Sequence, residues 1–556
     1  MKAYNLDPVW YYTAPGLSWD SMLKLTNVKI ELLMDYDMYL FVEKGIRGGI
    51  SQCSNRYAMA NNKFLPNFEP SKPQNFLLYL DANNLYGWAM SQPLPLNNFK
   101  WVDFLEVDHI DENGEKGYIL EVDLEYPESL HDYHSDLPLA PESSVPPGCK
   151  EKRLLTTLYP KTNYVVHIRN LKQYLKLGLV LKKVHKILEF HQESWLQPYI
   201  KMNTQFRTEA ENEFEKNFYK LMNNAIFGKT MENIRKRVDI RLCSNGEKAK
   251  RLISKPNFKD RTIFCENLAA FHMSRTSLTL NKPIAVGMSI LDISKTLMYE
   301  FHYHKMKACY GENNTQQITS MGFLVKTKKV LGKMKDENCG KVMTEFIGLR
   351  SKMYSFKVED CHLIKKLKGV KKSTLEKKID FEDYRRCLLE DINLYSSMNL
   401  IRSVNHDIYT VTLNKLALSA HDEKRYLLDN KINTLALGHY SINCEQSKNP
   451  DIMETVDTKQ ENYQNQSTDK VDKTNTITSI SPKEHVETRP KDGANAEGIE
   501  EEIGNIAPGK YKNIPKKILN FIQQNHGEIY WTPDKELIVD GKIIRNTNII
   551  NLITHL

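Results

Sequence analysis

A chain of 556 residues, 41% hydrophobic and 26% charged, has the composition of a globular protein and the length of several domains. It has no apolar run of about 18 residues and no basic start followed by an apolar core, so neither a membrane span nor a secretory signal is expected. The nine cysteines are scattered singly without a CxxC pair. This pattern argues against a zinc site and a disulfide framework, and it favours an intracellular location, nuclear or cytoplasmic.

The net charge of +8 is spread unevenly along the chain. Residues 443–510 contain 14 acidic and 8 basic residues, so the rest of the chain has a net charge of +14. A basic body suits a polyanionic partner such as a nucleic acid. A solvated basic surface explains the same charge equally well.

The first candidate for chemistry follows the apolar run FLLYL at residues 76–80. This run predicts a buried strand that ends on Asp81, then a turn, then Leu85 and Tyr86. A carboxylate fixed by a strand can bind Mg²⁺, and the turn would present backbone groups to a triphosphate. The ring of Tyr86 could pack beneath a sugar, where a 2′-hydroxyl would collide with it. A lone aspartate at such a position is more often a turn cap.

The second candidate is a long helix predicted over residues 203–224. Lys216, Lys220 and Asn224 are spaced by four and share one face of it, and Gly228 is expected to end it. The two lysines could bind phosphates, and the amide could contact a sugar or base. Lysines at this spacing more commonly form a solvated helix face.

The remaining elements are less informative. Residues 391–394 and 426–428 are predicted to be helical, and the polar residues 443–508 are predicted to be a disordered linker. Beyond the linker we expect a helix from about Pro515, strands near 529–531 and 537–539, and a last helix near 549–556.

The segment LDANNLYGWAM (residues 80–90) resembles the first palm motif of family B DNA polymerases, Asp-x-x-Ser-Leu-Tyr-Pro, with Asn84 and Gly87 at the Ser and Pro positions. KLMNNAIFG (residues 220–228) resembles their fingers motif, Lys-x-x-x-Asn-Ser-x-Tyr-Gly, with Ala225 and Phe227 replacing Ser and Tyr. The chain is identified as a relative of the protein-primed members of this family, of the organellar, viral and Polinton-like mobile-element type.

The resemblance runs in order from residue 5 to about 440 and implies an α/β (α+β) right-hand fold with palm, fingers and thumb. The implied division is a linker and template loop at 1–50, palm at 51–100, a priming-protein insertion at 101–200, fingers at 201–236, a second insertion that encircles DNA at 237–283, the palm remainder at 284–360 and a thumb-like part at 361–442. Composition adds the linker at 443–508 and a small α/β helix–hairpin–helix module at 509–556.

Functional residues follow from the same resemblance. Asp81 would be catalytic and would bind Mg²⁺ in a two-metal site. The residues implied for dNTP binding are Asn84, Leu85, Tyr86, Lys216, Lys220, Asn224 and Gly228. Those implied for DNA binding are Arg47, Gly48 and Gly49 in a loop similar to Tyr-x-Gly-Gly, Lys352 and Tyr354 in a Lys-x-Tyr motif, and Lys368 and Lys371 in a basic patch. The implied partners are primer-template DNA, dNTPs and a terminal (priming) protein, with no membrane.

Two departures from the family pattern affect the expected activity. About 45 residues precede the Arg47 loop, which leaves no room for the 3′–5′ exonuclease, so we expect no proofreading; Asp35 and Asp37 are interpreted as structural. The family's Tyr-x-Asp-Thr-Asp-Ser hairpin should follow Gly311, where Glu312 is the nearest acid.

Two-metal transfer needs carboxylates that bridge ions about 3.5–4 Å apart. We therefore expect template-directed DNA synthesis to be slowed by roughly 10³-fold or more. The rival hypothesis is a non-catalytic nucleic-acid-binding or assembly protein derived from such a polymerase. A third is that the chain does not fold, because losing a palm hairpin exposes a buried sheet edge.

Overall fold

The computed structural model describes residues 4–103, 106–308, 330–359, 362–404 and 407–442, together with three strands near the end of the chain. The chain divides into two units, Met1–Asp457 and Thr458–Leu556. The described α-helices are α1 (Ala14–Thr26), α2 (Tyr36–Lys44), α3 (Leu85–Met90), α4 (His131–His134), α5 (Ile168–Lys176), α6 (Gln197–Glu209), α7 (Glu213–Thr230), α8 (Gly246–Ile253), α9 (Ile284–Tyr299), α10 (Lys372–Lys378) and α11 (Phe381–Leu389). A π-helical stretch, Glu300–Lys307, continues α9.

The described strands of the first unit are β1 (Tyr57–Met59), β2 (Leu80–Ala82), β3 (Leu94–Val102), β4 (Lys116–Glu125), β5 (Glu142–Ser144), β6 (Arg153–Leu155), β7 (Lys161–His167), β8 (Val180–Glu193), β9 (Asp239–Cys243), β10 (Phe258–Cys265), β11 (Leu268–Met273), β12 (Met334–Asp336), β13 (Met343–Arg350), β14 (Met353–Val358), β15 (His362–Leu367), β16 (Leu394–Val404), β17 (Asp407–Leu418), β18 (Arg425–Leu427) and β19 (Thr434–Ala436). The second unit contributes β20 (Ile529–Trp531), β21 (Leu537–Val539) and β22 (Lys542–Ile544). The mixed α/β fold class agrees with the prediction.

Helix α9 forms the centre of the first unit. Thirteen of its sixteen residues are buried, as expected for a mostly apolar helix in the interior. Its neighbours include α2, α3, α5 and α7 and the strands β3 and β7. At Gly287 a Cβ would lie 2.2 Å from the Met231 side chain, so a glycine is needed for this close approach.

An antiparallel sheet of order β3–β8–β4–β7 lies beside α9. Alternate residues of β4 serve its two faces. Leu120 and Val122 join a cluster that includes Tyr299 at the end of α9, and Ile119 joins a cluster with Met288 of α9. Residues 101–200 therefore share hydrophobic cores with α9.

A second antiparallel sheet, β1–β13–β14–β15, packs against α11. The hairpin β16–β17 extends from this core, and its outer residues Ile401 and Ile408 are 74% and 76% exposed. Strands β9, β10 and β11 form a third sheet, whose apolar cluster includes Leu252 of α8.

Arg56 joins distant parts of the first unit. Its side chain is fully buried, and it donates hydrogen bonds to the carbonyl oxygens of Lys431 (2.9 Å), Leu349 (2.9 Å) and Ala420. A buried guanidinium is tolerated because backbone acceptors replace its water. The early segment after the Arg47 loop is thereby bonded to residues near the end of the unit.

Several local predictions were wrong. The strand predicted at 76–80 is the short, half-exposed β2, because pairing with β12 begins at Leu80. The helix predicted over 203–224 is two helices, because Asn212 caps α7 by accepting a hydrogen bond from the Glu215 amide (2.9 Å). Helix α7 then continues past Gly228 to Thr230.

The helical predictions at 391–394 and 426–428 were also wrong. Leu394 begins β16, and Tyr426 lies in β18; strand pairing outweighs local helix propensity there. In the second unit, both predicted strands are present and β22 adds a third in an antiparallel meander. The linker at 443–508 and the helices predicted near 515 and 549 lie outside the described residues. Among the described helices, none is both long and apolar enough to cross a membrane.

Candidate functional site

A cavity of about 530 Å³ opens between the turn after β2 and the helices α3, α6 and α7. Its lining residues are Asp81, Asn83, Asn84, Leu85, Tyr86, Arg207, Lys220, Asn224 and Phe227. Six of these, Asp81, Asn84, Leu85, Tyr86, Lys220 and Asn224, are site residues expected from the sequence. The two segments that carried the resemblance therefore meet at one cavity.

The turn that follows Asp81 is held rigidly. Asn84 adopts a left-handed conformation (φ 42°), and its side-chain oxygen accepts a hydrogen bond from the Gly87 amide at 3.2 Å. A Cβ on Gly87 would lie 2.1 Å from the Asn84 side chain, so this cap requires glycine there. Backbone hydrogen bonds join Asn83 to Gly332 and Lys333 (2.9 and 3.0 Å). The local sequence and the neighbouring strand thus fix the turn together.

Asp81 lies on an exposed position of β2. In the antiparallel pairing with β12 it stands opposite Lys335, whose Nζ lies 3.0 Å from a carboxylate oxygen of Glu337. Asp81 is the one acid among the residues that line the cavity.

The donor set does not fit a pair of magnesium ions. A two-metal site needs carboxylates from more than one residue, and within the described part of the chain no group of three His, Cys, Asp or Glu side chains could hold a metal ion. Glu312, the nearest acid after the expected hairpin position, lies outside the described residues. Asp81 alone supplies one metal ligand.

One wall of the cavity is aromatic. The rings of Tyr86 and Phe227 lie 4.7 Å apart at an angle of 32°, and burial raises the pKa of the Tyr86 hydroxyl. A Cβ placed on Gly49 would be 3.8 Å from the Tyr86 hydroxyl oxygen. The glycine loop at 46–49 therefore borders the same wall.

The cavity lining also carries positive charge. Lys220 of α7 and Arg207 of α6 both line the cavity. Lys216 does not line it, and its Nζ pairs with Glu213 at 2.8 Å; Gly228 also lies off the lining. The predicted single helix placed Arg207 among its polar residues, so Arg207 was not expected to line the cavity. The capping residue Asn212 was the signal that could have divided this helix and placed α6 and α7 side by side, where the rings of Phe206 and Tyr219 lie 5.2 Å apart and are tilted by 41°.

The residues expected to bind DNA fall into two places. In the loop at 46–49, the Arg47 guanidinium points inward, 3.9 Å from the centre of the Tyr164 ring, and donates to the Val165 carbonyl oxygen at 2.6 Å. Gly48 is exposed and has no neighbouring atom within 4 Å of a Cβ position. This loop offers backbone, rather than the Arg47 charge, to a ligand.

The other place is the hairpin end of the β13–β14–β15 sheet. Lys352 occupies the turn with φ 63°, and its carbonyl oxygen accepts a hydrogen bond from the Lys368 amide (3.2 Å). Lys371 precedes α10 and is exposed, as are the other two lysines. Tyr354 is half-buried, with a raised pKa due to burial, and its hydroxyl lies 3.4 Å from that of Tyr79. The three lysines form one basic hairpin end.

Comparisons with known proteins identify the relatives of this chain. The family model for DNA polymerase type B, organellar and viral, matches residues 2–307. No curated protein sequence matches. Among solved structures, Phi29 DNA polymerase complexed with primer-template DNA and incoming nucleotide substrates is 15% identical, with a TM-score of 0.48, and the match covers 74% of this chain and 68% of that one. Phi29 DNA polymerase in an orthorhombic crystal form is 14% identical, with a TM-score of 0.47 and coverage of 73% and 68%.

The family of this chain follows from its match to the type B polymerase model. That model spans more than half of the chain, and the motifs around Asp81 and Lys220 both lie inside the matched range. The resemblance inferred from the sequence is thereby confirmed: this chain belongs to the organellar and viral type B DNA polymerases.

Proposed function

We propose that the chain binds primer-template DNA and a dNTP, as DNA-directed DNA polymerases of its family do, and that its nucleotidyl transfer is strongly reduced. The observation that carries the proposal is the cavity itself. It combines two cations, an aromatic wall and one carboxylate beside a turn. That combination suits a deoxynucleoside triphosphate.

The cavity residues have distinct roles in the proposal. Lys220 and Arg207 neutralise the triphosphate through charge-assisted hydrogen bonds. Tyr86, supported by Phe227, packs under the sugar and excludes a 2′-hydroxyl. Asn224, one helical turn from Lys220, contacts the sugar or base. Positioning of this kind precedes any chemistry.

Transfer is reduced because no second carboxylate among the described residues lines the cavity beside Asp81, and because the sequence after Gly311 lacks the Asp-Thr-Asp motif. The family generally uses Mg²⁺, and a single carboxylate supplies too few ligands to hold two ions. Losing a metal ligand set removes several kcal/mol of transition-state stabilisation, roughly 10³-fold or more in rate. Binding of nucleotide and DNA does not share this requirement.

The basic hairpin end formed by Lys352, Lys368 and Lys371 binds the DNA backbone in this proposal, and the exposed loop at Gly48 contacts the template strand. Phosphate contacts by lysine release counterions, so DNA affinity falls as salt rises. A priming protein that docks on residues 101–200 stays a prediction.

The nucleotide site is tested with a matched pair of helix α7 variants. Lys220→Met removes a cation that lines the cavity, whereas Lys216→Met removes one that pairs with Glu213. We expect Lys220→Met to weaken binding of a fluorescent dNTP by about tenfold, the value of one charged hydrogen bond, and Lys216→Met to bind almost normally. Equal losses in both variants would mean that the cavity is not the nucleotide site.

Reduced transfer is tested by primer extension with Mg²⁺ or Mn²⁺. We expect salt-dependent DNA binding with extension at least about 10³-fold slower than that of a family member with both metal motifs. Extension at a comparable rate, abolished by Asp81→Ala, would overturn the reduced-activity proposal.

A second candidate function is a non-catalytic nucleic-acid-binding or assembly protein. The single carboxylate at Asp81 and the net charge of +14 outside residues 443–510 favour it. DNA binding without dNTP binding or extension would support this function over the first.

A further inference from the structure

Two ionisable residues of α9 lie in the interior, outside the cavity described above. Asp292 is 3% exposed and Lys295 is 4% exposed, and the Lys295 Nζ lies 3.2 Å from an Asp292 carboxylate oxygen. Removing two charges from water is costly unless both are paired and hydrogen-bonded. The buried pair therefore needs further hydrogen-bond partners to offset its loss of water.

Both side chains use their remaining hydrogen-bonding capacity on backbone groups. The Lys295 Nζ donates to the carbonyl oxygens of Arg47 (2.9 Å) and Leu291 (3.1 Å) as well as to Asp292. The second carboxylate oxygen of Asp292 accepts from the His167 amide at 3.0 Å. The three protons of the ammonium are thus matched by three acceptors. One of them belongs to the loop at 46–49.

The loop is held from its other side as well. The Arg47 guanidinium donates to the Val165 carbonyl oxygen and lies over the Tyr164 ring, and both residues belong to β7. At Gly45, just before the loop, a Cβ would come within 2.6 Å of the Met288 side chain of α9. The loop is therefore seated on α9 and β7, with Lys295 bonded to its backbone from beneath.

The loop's far end borders the nucleotide cavity. A Cβ on Gly49 would lie 3.8 Å from the Tyr86 hydroxyl oxygen, and Tyr86 forms the aromatic wall with Phe227. A shift of the loop backbone would therefore move Gly49 relative to the Tyr86 hydroxyl. Lys295 is connected to the cavity through this loop: it bonds to the carbonyl oxygen of Arg47, and Gly49, two residues further on, faces Tyr86.

We propose that Lys295 is a positioning residue: its hydrogen bond to the Arg47 carbonyl fixes the glycine loop against Tyr86, so that the loop's DNA contact and the nucleotide cavity keep one relative geometry. This inference rests on the proposed function, in which the loop contacts DNA and the cavity binds a nucleotide. The seating of the loop itself does not depend on it.

A second buried lysine, Lys161, provides a control that distinguishes a positioning role of Lys295 from a purely structural one. Lys161 is 2% exposed and pairs with Glu142 at 2.6 Å, and within the described part of the chain it also donates hydrogen bonds to Thr157. Lys161→Met should therefore destabilise the fold much as Lys295→Met does, but it removes no hydrogen bond to the backbone of the glycine loop. The two substitutions are matched in chemistry and burial.

Three measurements on the full-length chain test the proposal: urea unfolding, amide hydrogen exchange of residues 46–50 without DNA, and affinity for a labelled primer-template. We expect both variants to lose stability. Only Lys295→Met should exchange faster at 46–50 and bind DNA about tenfold more weakly, the loss expected for one charged hydrogen bond. Lys295→Arg, which keeps a charged donor, should recover part of the DNA affinity.

Equal changes in both variants, or normal loop exchange in Lys295→Met, would overturn the proposal. If Lys295→Met does not fold, Lys295→Gln takes its place, since its amide is one bond too short to reach the same acceptor. Failure of the unmodified chain to bind DNA would refute the proposed function instead, because loop exchange is measured without DNA.

Discussion

Lowering the pH is expected to destabilise the first unit through His134, a buried histidine near the end of the π-helical stretch. Its Nδ1 lies 2.8 Å from the Tyr126 hydroxyl oxygen, and its Nε2 is buried without a hydrogen-bond partner in the described part of the chain. Burial lowers the pKa of His134 from 6.5 to about 4, with further lowering by the nearby positive charges of Lys307 and of His302.

The difference between the folded and unfolded pKa of His134 sets the direction and size of the change in stability with pH. An unfolded histidine takes up a proton as the pH falls through 6.5, whereas His134 in the folded chain stays neutral until about pH 4. The unfolded state therefore binds more protons in that window, and stability is lost as the pH falls through it. At about 1.4 kcal/mol per pH unit, the loss reaches about 3 kcal/mol.

Urea unfolding at pH 7 and pH 4.5 measures this effect. His134→Gln can still accept a hydrogen bond from Tyr126 but does not titrate, so it should lose most of that 3 kcal/mol less than the unmodified chain on acidification. His109, whose side chain is 82% exposed, supplies the control variant His109→Gln, which should behave like the unmodified chain. If the free energy of unfolding of His134→Gln depends on pH as that of the unmodified chain does, His134 is not the source of the acid sensitivity.

Three other predictions concern the cavity and the cores. Tyr86→Val removes the aromatic wall, and the preference for dNTPs over ribonucleotides in competition binding should fall by about tenfold; an unchanged preference would exclude Tyr86 from sugar recognition. Phe356→Ala empties a fully buried position and should cost about 3–5 kcal/mol in urea unfolding, with a loss below 1 kcal/mol contradicting the packing described. Gly117→Ala places a Cβ 2.2 Å from the Phe190 ring and should cost about 1–3 kcal/mol, whereas Gly48→Ala, in open space, should be neutral in the same measurement.

The sequence identified most of the cavity because its parts are local. The turn after Asp81 is specified by Asn84 and Gly87 within one helical turn, and Lys220 and Asn224 share a face of a single helix. Their meeting could be inferred from the family resemblance. Arg207 was not foreseen, because it reaches the cavity only when α6 folds back beside α7.

Pairing partners decided the elements that were predicted wrongly. β2 begins at Leu80 because β12 is three residues long, and Leu394 is a strand residue because β17 lies opposite it; neither partner is visible in the local sequence. The bond between Lys295 and Arg47 likewise joins residues 248 positions apart. No periodicity reports such a contact.

The guanidinium of Arg56 can be buried with all of its acceptors only after distant parts of the chain have been synthesised. Its acceptor at Lys431 follows it by 375 positions. At about 5–20 residues per second, a ribosome needs roughly 20–75 s to make that stretch. Until then the cation has no Lys431 carbonyl to bond, so the segment around Arg56 must stay open to water. A nascent chain stalled before residue 420 should therefore remain sensitive to protease around Arg56 and become resistant only after the acceptors emerge.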